Sequence, residues 1–222
     1  MKKYSKFILL FIFVVVMIIA IFIYRKVSFY NAVDSTVNQK DKINYTTNIK
    51  LTTENKDVSM VISYEMVKSG NIKKIAIDNY VNEEVQNNLL KYVVGKKTYV
   101  YDNKKYEEKE DNSDFNVNYK SLKDKIVGLK SKSGNKYVIE MNKYDAYNLI
   151  YDKEILTKDK ISGTIDVTVL VDEKNNFIKE ISYEIKDLDL YGNSVLSDYK
   201  VKITNTDINS KEEINLPFEI NE

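Results

Sequence analysis

The chain has no cysteine, no histidine and no tryptophan, a single arginine (Arg25) and a single proline (Pro217) in 222 residues. Without cysteine there are no disulfides and no thioether-linked lipid at the N-terminus, so the fold holds by packing alone. The joint absence of His and Cys excludes Ser-His-Asp triads, cysteine nucleophiles and ordinary zinc sites. With Arg25 the only arginine, a bidentate reading of guanine or phosphate by the rest of the chain is excluded too.

What is present begins at Phe7. Residues 7–24 read FILLFIFVVVMIIAIFIY, a run with no charge, Gly, Pro or amide. As a helix it is ~27 Å long, close to the hydrocarbon thickness of a bilayer. Lys2, Lys3 and Lys6 precede it, and Arg25 and Lys26 follow. A cleaved signal peptide has an apolar core of about 7–15 residues and a small-x-small cleavage site. Here the core is longer, Ile18 precedes Ala20 by two, and bulky Tyr30 precedes Ala32 by two. The run therefore reads as an uncleaved membrane anchor. The basic N-terminal flank places the N-terminus in the cytoplasm and the C-terminal domain outside it.

Five of the 34 basic residues lie in the first 31 positions, which leaves 29 against 33 acids and a net charge of −4 for the remainder. A weakly acidic body is no electrostatic partner for nucleic acid. Its length suits one domain. The organisation expected is a cytoplasmic tip and transmembrane anchor over 1–26, a polar juxtamembrane stalk over 27–42, and an extracytoplasmic domain over 43–222.

From Ile43 the apolar pattern has period two, the signature of strands with one buried face. Met60, Ile62, Tyr64 and Met66 alternate in this way, and a turn at Ser69-Gly70-Asn71 leads into a second run from Ile72. Gly95-Lys96 separates a similar pair, and Asp102-Asn103 a third. The spacing of Leu122, Ile126 and Leu129 predicts a helix over 119–130, and a second short helix is expected over 144–150. Val167 and Val169 fall on one strand and Ile181 and Tyr183 on the next, joined by the turn-forming cluster at 172–176. A third strand starts at Leu196, and Pro217 is expected to end an edge strand. Antiparallel hairpins with a few helices give an α+β fold, with the sheet curled around its helices.

Little in this pattern is catalytic. Ser121 near Lys123 and Lys125 reads as a solvated helix face rather than a base-coupled nucleophile. The pairs Glu83-Glu84, Glu107-Glu108 and Glu212-Glu213 are adjacent, so on strands they point to opposite faces. Asp187, Asp189 and Asp198 copy part of a calcium loop, but Tyr191 stands at a ligand position and no helices flank it, so a strand connection is expected. No enzyme activity, metal or cofactor is implied. The eighteen tyrosines suit an amphipathic pocket or ordinary strands equally well.

Three stretches carry a family resemblance. They are Gly95 to Tyr101 with Tyr106; Ile161-Ser-Gly163 leading through Val167 and Asp172 to Tyr183; and Ser197-Asp198-Tyr199 through Leu216-Pro217. Together they resemble the LolA-like superfamily of exported proteins, including Gram-positive cell-envelope relatives, across residues 43–220. The resemblance implies a strongly curved antiparallel half-barrel closed by short helices, with a lipid, acyl chain or lipoprotein segment held against its inner face. The apolar lining expected is Met60, Ile62, Tyr64, Met66, Val167, Val169, Ile181 and Tyr183, residues that serve equally as plain core. An anchor helix stands where the family's Gram-positive members have a lipidated cysteine, so a diffusing shuttle role does not carry over. The alternative is a cell-surface interaction or sensor domain that docks an envelope protein on its strand edges or outer face.

Overall fold

A computed structural model of the chain describes residues 2–102, 105–109, 115–123, 128–151, 161–189, 196–211 and 213–220. It begins with one long helix, α1 (Lys2–Gln39). No Gly or Pro interrupts this stretch, so the i→i−4 hydrogen bonds run through without a kink site. From Leu10 to Tyr24 its apolar side chains stand clear of the rest of the protein, and the helix from Leu10 is long and apolar enough to cross a membrane.

The segment expected as a polar stalk continues the same helix and enters the core. Phe29, Ala32, Val33 and Thr36 are buried, and Val37 packs beside them. These positions follow i, i+3, i+4, i+7, i+8, one face of a helix. Polar residues between them lower the average hydropathy and conceal the stripe. The Thr36 hydroxyl donates to the Ala32 carbonyl (2.9 Å) and accepts the Ile178 backbone N–H (2.8 Å).

Among the described residues, eleven strands form one antiparallel sheet. They are β1 (Tyr45–Glu54), β2 (Ser59–Ser69), β3 (Ile72–Val81), β4 (Glu84–Val94), β5 (Lys97–Asp102), β6 (Lys105–Lys109), β7 (Leu129–Ser133), β8 (Lys136–Asn142), β9 (Thr164–Asp172), β10 (Phe177–Asp189) and β11 (Leu196–Thr206). Their order is β6-β5-β4-β3-β2-β1-β11-β10-β9-β8-β7, so the first and last segments of the domain meet at its centre, where β1 pairs with β11. The sheet is curved and unclosed. One row of cross-strand partners runs Leu89, Ile77, Tyr64, Ile49, Ile203, Ile181, Val169, Tyr137, Lys132. All but the last are apolar or aromatic, and this row marks the concave face. The α+β half-barrel expected from the sequence is the fold observed.

Short helices α2 (Tyr119–Lys123) and α3 (Lys143–Tyr147) join α1 on that face, α3 passing into a 3-10 turn over Asn148–Ile150. Asn142 caps α3 by accepting the Asp145 N–H at 2.7 Å. The helix expected over 119–130 is shorter than its apolar spacing implied: Leu129 opens β7, and Ile126 lies outside the described residues. Gly128 marks the change. A Cβ there would stand 2.5 Å from the Glu140 carbonyl oxygen, so the backbone lies flush against β8 just before β7 opens.

Pro217 also differs from expectation, since it lies in an irregular tail and not on an edge strand. Its neighbour Phe218 packs among Tyr92, Tyr99 and Tyr106, with ring centroids 5.7, 4.8 and 4.6 Å away. The register puts Tyr92 and Tyr99 opposite each other on the outer face, so the tail covers that face of β4–β6.

Candidate binding site on the concave face

The eight residues expected to line a cavity all lie on the concave face, in two groups. Met60, Ile62, Tyr64 and Met66 come from β2, while Val167 and Val169 come from β9 and Ile181 and Tyr183 from β10. Strands β1 and β11 separate the groups. Val167, Val169 and Ile181 are wholly buried, whereas Met60 is 37% exposed and Ile62 half-buried.

A chain of aromatic rings runs from β11 to the β2 group. Tyr199 meets Tyr147 (4.8 Å between centroids), Tyr147 meets Tyr151 (5.6 Å), Tyr151 meets Phe115 (5.5 Å), and Phe115 stands edge-on to Tyr64 (5.5 Å). Most of these rings come from the loop and helix cover, so tyrosine here packs cover against sheet. Among the described residues, the Tyr183 hydroxyl is the buried side-chain group without a hydrogen-bond partner. Burial pushes its pKa and that of Tyr199 well above 10.0. Both phenols stay neutral at physiological pH.

A buried polar knot fixes the middle of the face. Asn205 donates to the Ile178 carbonyl and to the Tyr119 hydroxyl, both at 2.8 Å, and accepts from the Thr47 hydroxyl at 2.7 Å. It ties β1, β10, β11 and α2 together. All three partners are buried, so each bond is made where an unmade one would cost most.

Next to this knot, between β1–β3 and the 115–119 segment, lies a cavity of about 70 Å³. Its walls are Tyr45, Ile49, Tyr64 and Met66 on the sheet and Phe115, Val117 and Tyr119 on the cover, and Lys40, Asp41, Lys68 and Lys73 stand around it. Lys68 donates to the Ile43 carbonyl at 3.0 Å. Burial lowers its pKa, Asp41 opposes that, and Lys73 adds to it. Burial, with Asp41 nearby, pushes the Tyr45 phenol up to about 12. Of the eight expected residues, Tyr64 and Met66 touch this cavity. Lys68 was not among the residues expected here, yet it is the next even-spaced position after Met66 and so shares its face.

No family model matches the chain, and no curated protein does. Two solved structures share its course. The Mycobacterium tuberculosis lipoprotein LppX aligns with 84% of this chain and 98% of its own, at 8% identity and a TM-score of 0.43. LprF from Mycobacterium bovis aligns with 85% of this chain and 96% of its own, at 12% identity and a TM-score of 0.42. Likeness at this level says nothing about ligand or activity.

The residues weighed for chemistry are engaged in structure. Ser121 donates to the Asn118 carbonyl at 2.8 Å, and Lys123 bonds Asp34 of α1 at 2.6 Å. Asp187 and Asp189 belong to β10. Lys125, Tyr191 and Glu212 lie outside the described residues.

Proposed function

We propose that this chain is a membrane-anchored, extracytoplasmic binding module that holds an acyl chain, lipid or acylated protein segment on the concave face of its half-barrel. In this reading it is a tethered member of the LolA-like group found in Gram-positive envelopes. The observation that carries the reading is the cavity beside Ile49, Tyr64 and Met66, which among the described residues leaves part of the curved face unfilled. Ligand pockets run to ~300–1,000 Å³. The cavity as it stands therefore admits only the leading part of a chain, and the rest enters when Phe115 leaves its edge contact with Tyr64.

The anchor belongs to the same proposal. Cleavage after Ala32 would remove Phe29 and Ala32 from the folded core, which supports an intact helix. The alternative of docking a partner on a sheet edge is less well supported. Both edge strands are charged, KYEEK in β6 and LKSKS in β7, and such charges protect an edge from added strands.

The test is native mass spectrometry of the full chain released from membranes in mild detergent, before and after organic extraction. Bound lipid or acylated species that vanish on extraction are expected. A clean mass that takes up no added fatty acid or phospholipid would replace this reading with protein–protein interaction.

A further inference from the structure

The cavity rim carries a charge pattern that packing does not require. Lys68 on β2 and Lys73 on β3 are direct cross-strand partners, and both border the cavity. Like charges placed opposite each other weaken a sheet. Lys68 is only 6% exposed, so its end of the pair is largely out of water, while Lys73 reaches solvent. Lys40, at the end of α1, adds a third cation, and Asp41 is the one acid bordering the cavity, which leaves a net charge of +2 around it. None of the ion pairs among the described residues includes any of these three lysines. An ammonium has three donors, and the Ile43 carbonyl takes one from Lys68. A like-charge pair partly out of water, with donors to spare, over a wall of Ile49, Tyr64 and Met66 is what an oxyanion on an apolar chain would complete.

We propose that Lys40, Lys68 and Lys73 seat the oxyanion head, carboxylate or phosphate, of an amphiphile whose apolar part lies along Ile49, Tyr64 and Met66. This rests on the concave-face reading above and names the head chemistry its ligand carries. Charge-assisted hydrogen bonds to an oxyanion are the stronger kind, and the pocket gives them a partly desolvated setting. The same anion would relieve the Lys68–Lys73 repulsion. The site is therefore expected to be less stable empty than filled.

The experiment uses the full chain in phosphatidylcholine nanodiscs with ¹³C-methyl methionine, reading the Met66 methyl signal. Four six-carbon probes are titrated: hexanoate, hexyl phosphate, hexan-1-ol and hexylammonium. Either anion is expected to shift Met66 with a Kd about tenfold tighter than the alcohol, while the ammonium leaves it still. Which anion binds better identifies the source, a free acid or a phosphate ester. Lys73 is exposed, so Lys73→Gln should fold normally. It is expected to remove most of the preference for anions and to raise the empty protein's Tm by about 1–2 °C. Equal binding of all four probes would overturn the anion seat and leave the concave-face reading standing. A Met66 signal unmoved by every probe would overturn both. A Lys73→Gln variant that keeps full anion preference would overturn the role assigned to the lysine pair.

Discussion

On the β8–β11 wing of the sheet the inward residues Ile139, Val167, Ile181 and Ile185 are fully buried and Ile165 at the end of β9 is half-buried, while on the β2–β4 wing Tyr64 and Ile75 are buried but Met60 is 37% exposed and Ile62 and Leu89 are half-buried. The two wings carry the same period-two apolar pattern. Among the described residues, what separates them is cover. Phe29 of α1 packs on Tyr137 at 5.2 Å, Thr36 caps the Ile178 N–H, and α3 rests on β8, β9 and β10. The other wing is met by the 115–119 segment, and the cavity lies there. An alternating strand announces a face to be buried, and a different part of the chain decides how completely.

The sharpest way to break this contrast is to remove one cover residue. Phe29→Ala is expected to cost ~3–5 kcal/mol, because Phe29 is fully buried and its neighbours cannot all collapse into the gap. Chemical denaturation of the full chain followed by near-UV circular dichroism measures it. A loss below ~1 kcal/mol would mean that α1 merely touches the domain.

A second effect of comparable size comes from pH. The Tyr45 phenol rises from 10.0 to about 12 in the folded protein. Between those values the unfolded chain has released the proton that the folded one retains, so stability falls as pH rises above 10. At ~1.4 kcal/mol per pKa unit, Tyr45 alone removes roughly 3 kcal/mol by pH 12. Buried Tyr119, Tyr183 and Tyr199 shift in the same direction and steepen the decline. Thermal unfolding from pH 9 to 12 should show the fall, and Tyr45→Phe should make it shallower. A curve level to pH 12 in the parent would contradict the burial of these rings.

The smallest effect sharpens the comparison from the open side. Met60→Ala is expected to cost less than ~1 kcal/mol, since much of its side chain already meets water. If it costs as much as Phe29→Ala, the two wings are equally packed and the contrast fails.

Much of this fold is legible in the sequence. Gly70 and Gly95 adopt φ of +56° and +61° at the hairpin turns where the pattern of runs requires them. The alternation of Met60 to Met66 and of Val167 to Tyr183 names residues on the face that proves concave. Two features escaped for physical reasons. The stripe at 29, 32, 33, 36 and 37 was readable by spacing, but Thr36 sits in it as a buried polar residue whose partner, the Ile178 N–H, is 142 positions away. The apolar spacing of Leu122 and Leu129 imitated one helix although Leu129 opens β7, because the close approach of Gly128 to Glu140 is set by a strand not yet placed. The cavity itself is a gap between sheet and cover, and no local pattern encodes a gap.

The unbroken course of α1 makes it a shaft rather than a rope. Between Tyr24 and Lys40 there is no glycine or proline at which it could swivel, so the half-barrel inherits the direction of the apolar run that leads into it. Sixteen residues of rise set the lysine-bearing rim ~24 Å along the axis from the end of the apolar run. One residue inserted between Lys26 and Phe29 would lift the domain by ~1.5 Å and turn the apolar span by ~100° against it. With the apolar run seated in a bilayer as proposed, bearing and height above that bilayer would be fixed by residue count, and a neighbour in the same membrane would meet this domain from one compass direction.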